Sequence, residues 1–137
     1  MIADIRPELS KNNPYWIDRH RYYELKHFCL QYPLWKLYSK EIDGMRSGKF
    51  PAGKNGTNFS NPVPWAVERR EEYTMKMNMV LDAVMLTSPE FSDYIFRAVT
   101  QGLKYENLRM MDQIPCCREY WYELYRKFFY ILDRSRK

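Results

Sequence analysis

The chain has 137 residues, of which 45% are hydrophobic and 28% charged, a balance that excludes general disorder and suits one domain, or one domain carrying an arm. Its net charge of +5 and pI near 9.1 favour an anionic partner without requiring one. No apolar run is long enough to span a bilayer, and the opening MIADIRPELSKNNP lacks the apolar segment of a secretory signal, so the expectation is a cytoplasmic protein with no membrane association.

The three cysteines, Cys29, Cys116 and Cys117, are odd in number and two of them are adjacent. This fits neither a disulfide framework nor a zinc site, for which only His20 and His27 could assist; reduced thiols, no metal and no cofactor are expected. Aromatic residues reach 17%, enough to fill the core of a small domain; the alternative is that some of them form a partner surface or stack on bases.

Residues 1–13 are polar, lack helical periodicity and read as a loose arm. Asn13-Pro14 then looks like a helix start, a capping side chain followed by a residue that needs no donor. Over Tyr15 to about Gln31, Trp16, His20, Tyr23, His27 and Leu30 recur at spacings of four, three, four and three and share one face. Both histidines are expected on or beside that packed face, with no ligand or catalytic role. Tyr32-Pro33 breaks the helix, and Leu34, Leu37, Tyr38 and Ile42 give the next one an apolar stripe. Residues 1–43 thus read as an N-terminal helical hairpin or one kinked helix. The Gly-, Pro- and Asn-rich stretch over 44–64 is the expected boundary: a flexible tether, or a basic loop using Arg46, Lys49 and Lys54 on phosphate.

The C-terminal domain is expected over 65–137. Pro64 opens a long helix to about Thr87, with Ala66, Tyr73, Met77, Val80 and Val84 along one face and the remaining methionines as adaptable filler. Ser88-Pro89 restarts the pattern, and Phe91, Ile95, Ala98 and Val99 form a short amphipathic helix ending at Gly102. A second short helix, from about Tyr105 to Asp112, turns Tyr105, Leu108 and Met111 inward and stops at Gln113-Ile114-Pro115. The last helix runs from about Cys117 to Asp133 or Arg134, with Trp121, Leu124, Phe128 and Ile131 buried and Tyr125 and Leu132 flanking. The fold class is therefore all-α, about six helices without a sheet.

Two helices joined by a tight turn, the second longer, have the layout of a helix-turn-helix. The first would brace the second, whose opening turns would reach base edges in the major groove. Outward there are Arg118, Glu119 and Tyr122, with Arg126 and Lys127 further along; Lys104 and Arg109 suit phosphate beside the bracing helix, and Arg134, Arg136 and Lys137 charge the tail.

At this motif the sequence resembles the phage transcriptional regulators of the RinA and ArpU type, from phages and prophages of low-GC Gram-positive bacteria. The matching residues are Ala98-Val99-Thr100-Gln101-Gly102, Tyr105-Glu106-Asn107-Leu108, Ile114-Pro115-Cys116, Tyr122, Arg126-Lys127-Phe128-Phe129 and Leu132; Arg69-Arg70-Glu71 fits what precedes them. The N-terminal string Tyr22 to Cys29 with Tyr32-Pro33 resembles small phage proteins of the same group. The resemblance implies a helix-turn-helix similar to the fourth region of sigma factors, binding double-stranded promoter DNA in a bacterial host cell to regulate transcription. Two departures stand out. Cys117-Arg118-Glu119 and Glu123-Leu124-Tyr125 replace more basic or polar runs, and Lys104 stands where a Ser or Thr cap is expected.

Two function classes compete. One is a DNA-binding regulator, as a monomer or a homodimer. The other is a protein-binding module or inhibitor, with the helix-turn-helix as scaffold, docking RNA polymerase, a recombination partner or a host-defence protein in the manner of an anti-CRISPR. An enzyme is not expected: no nucleophile sits beside a base, no carboxylate pair shares an apolar face, and no glycine loop suits phosphate. An exposed stripe of Arg118, Tyr122, Arg126 and the tail cations would favour DNA; dominance of Glu119 and Glu123 would favour a protein partner.

Overall fold

The computed structural model describes residues 13–46 and 64–136. The arm over 1–12, the linker over 47–63 and Lys137 lie outside them. Among the described residues the fold is all-α, with no strand: α1 (Arg19–Leu30), α2 (Tyr32–Arg46), α3 (Pro64–Thr87), α4 (Ser92–Gln101), α5 (Tyr105–Asp112) and α6 (Arg118–Ser135).

The helices group differently from the partition drawn along the sequence. Among the described residues, one compact unit comprises 13–31 and 79–136, the other 32–46 and 64–78. The N-terminal hairpin expected over 1–43 is therefore divided, α1 belonging to one unit and α2 to the other. The reason lies in the apolar face of α1. Tyr22, Leu25, Phe28 and Cys29 are its buried residues, and α1 packs on α4 and α6, burying side chains that a free arm would expose.

That face also corrects the expected stripe. His20 and His27 are exposed, and Trp16, Tyr23 and Leu30 only half-buried. The pattern 22, 25, 29 is as helical as 16, 20, 23, 27, but it collects side chains that need no water, whereas imidazoles keep theirs. Asn13-Pro14 forms a turn rather than a helix start: Tyr15 N donates to Asn13 Oδ1 at 2.8 Å and Trp16 N to Asn13 O at 3.0 Å. The helix begins at Arg19, where Asp18 Oδ2 accepts from His20 N at 3.0 Å.

In the second unit, Trp35, Ile42 and Ala66 are buried. Tyr38 meets Tyr73 at 5.6 Å between ring centroids, and Lys76 Nζ lies 5.8 Å from the Trp35 ring, so α2 and the first half of α3 run antiparallel there. Leu34, Leu37 and Tyr38, expected inside, are exposed at 48%, 50% and 39%; Trp35 and Ile42, seven residues apart, carry the buried line instead.

In the first unit, α3 contributes Val80, Ala83 and Val84, and α4 contributes Ile95, Ala98 and Val99, largely the faces expected. Helix α4 starts at Ser92 rather than after Ser88, whose hydroxyl accepts from Phe91 N at 3.3 Å in the turn ahead of it. Gly102 ends α4 in the left-handed region at φ +72°, with Leu103 N donating to Ala98 O at 3.1 Å. The buried stripe of α6 is Trp121, Leu124, Phe128, Phe129 and Leu132. Ile131 is half-buried, and Phe129, which the expected stripe left out, is buried against Tyr22 of α1. An aromatic cluster joins the two helices. The Tyr22 ring meets Phe129 edge-on at 5.2 Å, and the Tyr22 and Tyr125 hydroxyls share a 2.8 Å hydrogen bond. Arg21 completes the seam, donating to Asp133 Oδ1 at 2.6 Å and to Arg136 O at 3.0 Å.

Candidate nucleic-acid interface

Helices α5 and α6 are joined by Gln113–Cys117. Gln113 takes the left-handed conformation at φ 53°, so that Gln113 N reaches Arg109 O at 3.2 Å and Ile114 N reaches Leu108 O at 3.4 Å. This closure drops Ile114 into the core, where it is 6% exposed. Pro115 then prevents the helix from resuming, and α6 starts only after Cys117. The turn is fixed from the other side by Tyr105, whose hydroxyl donates to Cys116 O at 2.7 Å. Arg97 anchors the far end of α5 to α4 through Asp112, at 2.7 Å. Lys104 caps α5 without a capping side chain, but Asn107 Oδ1 accepts the Lys104 backbone N–H at 2.9 Å and does part of that work.

On this frame Trp121 and Leu124 face inward, and Arg118, Glu119 and Glu123 are exposed. Tyr122, Arg126 and Lys127 are half-buried, while Lys104 and Arg109 are exposed. Arg118 does not stand alone. Its Nη1 donates to Glu106 Oε2 at 2.6 Å and to Tyr122 Oη at 3.2 Å, and its guanidinium lies 5.3 Å from the Tyr105 ring centre. The bond to Glu106, reinforced by Tyr122, holds the Arg118 cation even more firmly protonated than usual. A backbone N–H at the start of α5, together with Arg118, holds the Glu106 carboxyl below the ordinary carboxylate range. Beside this group an open groove of about 490 Å³ is lined by Tyr105, Glu106, Arg109, Met110, Cys117 and Arg118.

The tail cations are not part of it. Arg134 lies about 24 Å along α6 from Arg118, counting 1.5 Å per residue, and donates to Tyr130 Oη at 3.0 Å. Arg136 lies over the Phe28 ring at 3.9 Å, turned into the α1 seam. The structure thus brings together Arg118, Tyr122 and the groove around Arg109, and leaves Arg134 and Arg136 at the opposite end. Among the described residues, Lys104, Arg109, Arg126 and Lys127 form no ion pair.

No family model, no curated protein and no solved structure matches this chain.

Sequence reasoning missed Glu106 and Tyr105 as members of the site. No signal along the chain announces the pair: the connecting turn joins the end of α5 to the start of α6, whereas Glu106 lies in the first turn of α5, and only the folded arrangement brings it to Arg118. Met111, expected inward, is 68% exposed and Met110 is 84% exposed, because the eight residues of α5 bury only Tyr105 and Leu108. The three thiols are free; Cys29 is buried, and burial pushes its thiol well above the ordinary range. Cys116 is half-buried and shifted upward for the same reason, with Cys117 adding to it. Among the described residues no three His, Cys, Asp or Glu side chains cluster to hold a metal ion, and no helix is long and apolar enough to cross a membrane.

Proposed function

We propose that this protein is a DNA-binding transcription regulator of phage or prophage type, working in the cytoplasm of a bacterial host. Helix α5 braces α6, and the opening turns of α6 enter the major groove. The observation that carries this reading is the two-sidedness of α6 at its start. Trp121 and Leu124 are buried while Arg118 and Glu119, in the first turn, project into solvent. Arginine reads guanine and glutamate accepts from the cytosine amino group, so this turn has the chemistry of base recognition. Lys104 and Arg109, which form no ion pair among the described residues, flank it with charge suited to phosphate, and Arg126 and Lys127 extend that charge along α6. Selection of bound duplexes from a random pool tests the reading. A recurring sequence, lost when Arg118→Ala is used, supports it; no enrichment over input by the folded protein refutes it.

A second reading is favoured by a specific observation. Glu119 and Glu123 are exposed beside Arg118, and Met110 and Met111 project from α5, as a protein-docking surface would have them. On this reading the partner is a protein such as RNA polymerase or a host-defence factor. Met111→Gln, which adds no charge and lies outside the groove lining, would then weaken partner capture and leave duplex binding unchanged.

A further inference from the structure

The guanidinium of Arg118 presents two different edges. Both short contacts use Nη1: one runs to Glu106 Oε2 at 2.6 Å, the other to Tyr122 Oη at 3.2 Å. Nη1 carries two hydrogens, so these two acceptors use it up, and among the described residues nothing engages the Nε–Nη2 edge. That edge is a planar pair of donors, the geometry that meets guanine N7 and O6 together. The Tyr105 ring, 5.3 Å from the guanidinium, adds a third constraint on where the plane lies.

We infer that Glu106 is a specificity-determining residue, which orients Arg118 for a base edge and cancels its charge toward phosphate. The inference rests on the reading of α6 as the base-reading helix and deepens it. An exposed arginine with its charge unopposed is attracted to any phosphate, and that attraction is the same for every sequence. A carboxylate at 2.6 Å removes most of the net charge felt from a distance and leaves the free edge in place. Binding to random DNA is thereby weakened more than the directional contact with guanine. Glu106 acts through Arg118, so it is a positioning residue and need not touch DNA.

The test is Glu106→Gln in the wild-type and Arg118→Ala backgrounds, all four proteins checked for folding by circular dichroism. Each is titrated over a salt series against a duplex selected from a random pool and against a random duplex of equal length. In the wild-type background, Glu106→Gln should tighten random-duplex binding and lower the selected-to-random ratio by about two- to fivefold, the scale of an exposed ion pair. The salt slope on random duplex should steepen by about one unit, for one more cation on phosphate. In the Arg118→Ala background, Glu106→Gln should leave the ratio unchanged. An unchanged ratio in the wild-type background, or an equal change in both, overturns the inference while DNA binding itself stands. If the wild-type protein shows no salt-dependent binding to any duplex, the DNA reading fails and the inference falls with it.

Discussion

Leu25→Ala probes whether α1 is part of the unit that holds α6 or an independent arm. Leu25 is fully buried, on a helix whose packing partners are α4 and α6. Truncation removes a buried isobutyl group from between helices joined by ring contacts that have little freedom to collapse, Tyr22 against Phe129 at 5.2 Å and against Tyr125 at 6.3 Å. A cavity of this kind costs about 2.7–5 kcal/mol. For a unit of this size each kcal/mol lowers Tm by ~4–8 °C, so the melting temperature should fall by at least about 10 °C. Thermal unfolding followed by circular dichroism gives the number, and the loss of the near-ultraviolet signal of the aromatic cluster joining α1 and α6 reports whether the two melt in the same transition. A fall equivalent to less than about 1 kcal/mol would refute the grouping of α1 with α6, since it lies below the whole range for a buried leucine. Melting of α1 separately from α6 would refute it equally, whereas separate melting of the other unit would not.

Backbone conformation gives an opposed pair of expectations. Gly102→Ala should destabilise by about 1 kcal/mol, since a new Cβ meets only Leu30 Cδ2 at an ordinary 3.5 Å and the cost is the positive φ alone; Gly102→Asn should cost less. Gln113→Gly should be neutral or stabilise by up to about 1 kcal/mol, because a side chain is held at φ 53° there; urea unfolding of the three variants checks the signs. Arg118→Ala should cost about 1–3 kcal/mol on the selected duplex and relax one base position, while Arg126→Ala should weaken binding to all duplexes and reduce the salt slope by about one unit. Burial raises the Cys29 thiol above its ordinary value. Above about pH 9 the unfolded chain therefore releases that proton first, and stability falls by about 1.4 kcal/mol per pH unit until the folded thiol ionises. Comparing the alkaline stability slopes of wild type and Cys29→Ala isolates this contribution. A thiol reagent should modify the exposed Cys117 in the folded protein and Cys29 only on unfolding.

Helix positions were legible wherever proline, glycine and a clear apolar period coincided. The expected span Tyr105 to Asp112 is the span of α5, and Pro64, Gly102 and Pro115 each bound an element where their stereochemistry requires. Faces were less legible where aromatic and amphipathic residues surround a helix. In α1 two lines, one through Trp16, His20 and Tyr23 and one through Tyr22, Leu25 and Cys29, are both helical, and only the tertiary partner decides between them. Hydropathy favoured Leu34 and Leu37 over Trp35 in α2 for the same reason. The grouping of α1 with α6 was invisible along the chain, since Arg21 and Asp133 are 112 residues apart. At the candidate site, the exposed character of Arg118 followed from the buried stripe opposite it. Its capture by Glu106 depends on how the five residues between α5 and α6 fold, with Gln113 in a conformation its residue type does not announce.

Equilibrium titration of the full chain with DNA from upstream of its own gene, and with a random duplex, at several salt concentrations decides whether the start of α6 and its flanking cations bind duplex DNA. If Lys104, Arg109, Arg126 and Lys127 meet phosphate in part or in full, log K should fall with log salt at a slope of about −2 to −3.6. The upstream duplex should bind at least about 10³-fold more tightly than the random one. A slope near zero, or equal weak affinity for both duplexes from a folded protein, would contradict the account and leave protein docking through Met110, Met111 and the acidic residues of α6 as the better explanation.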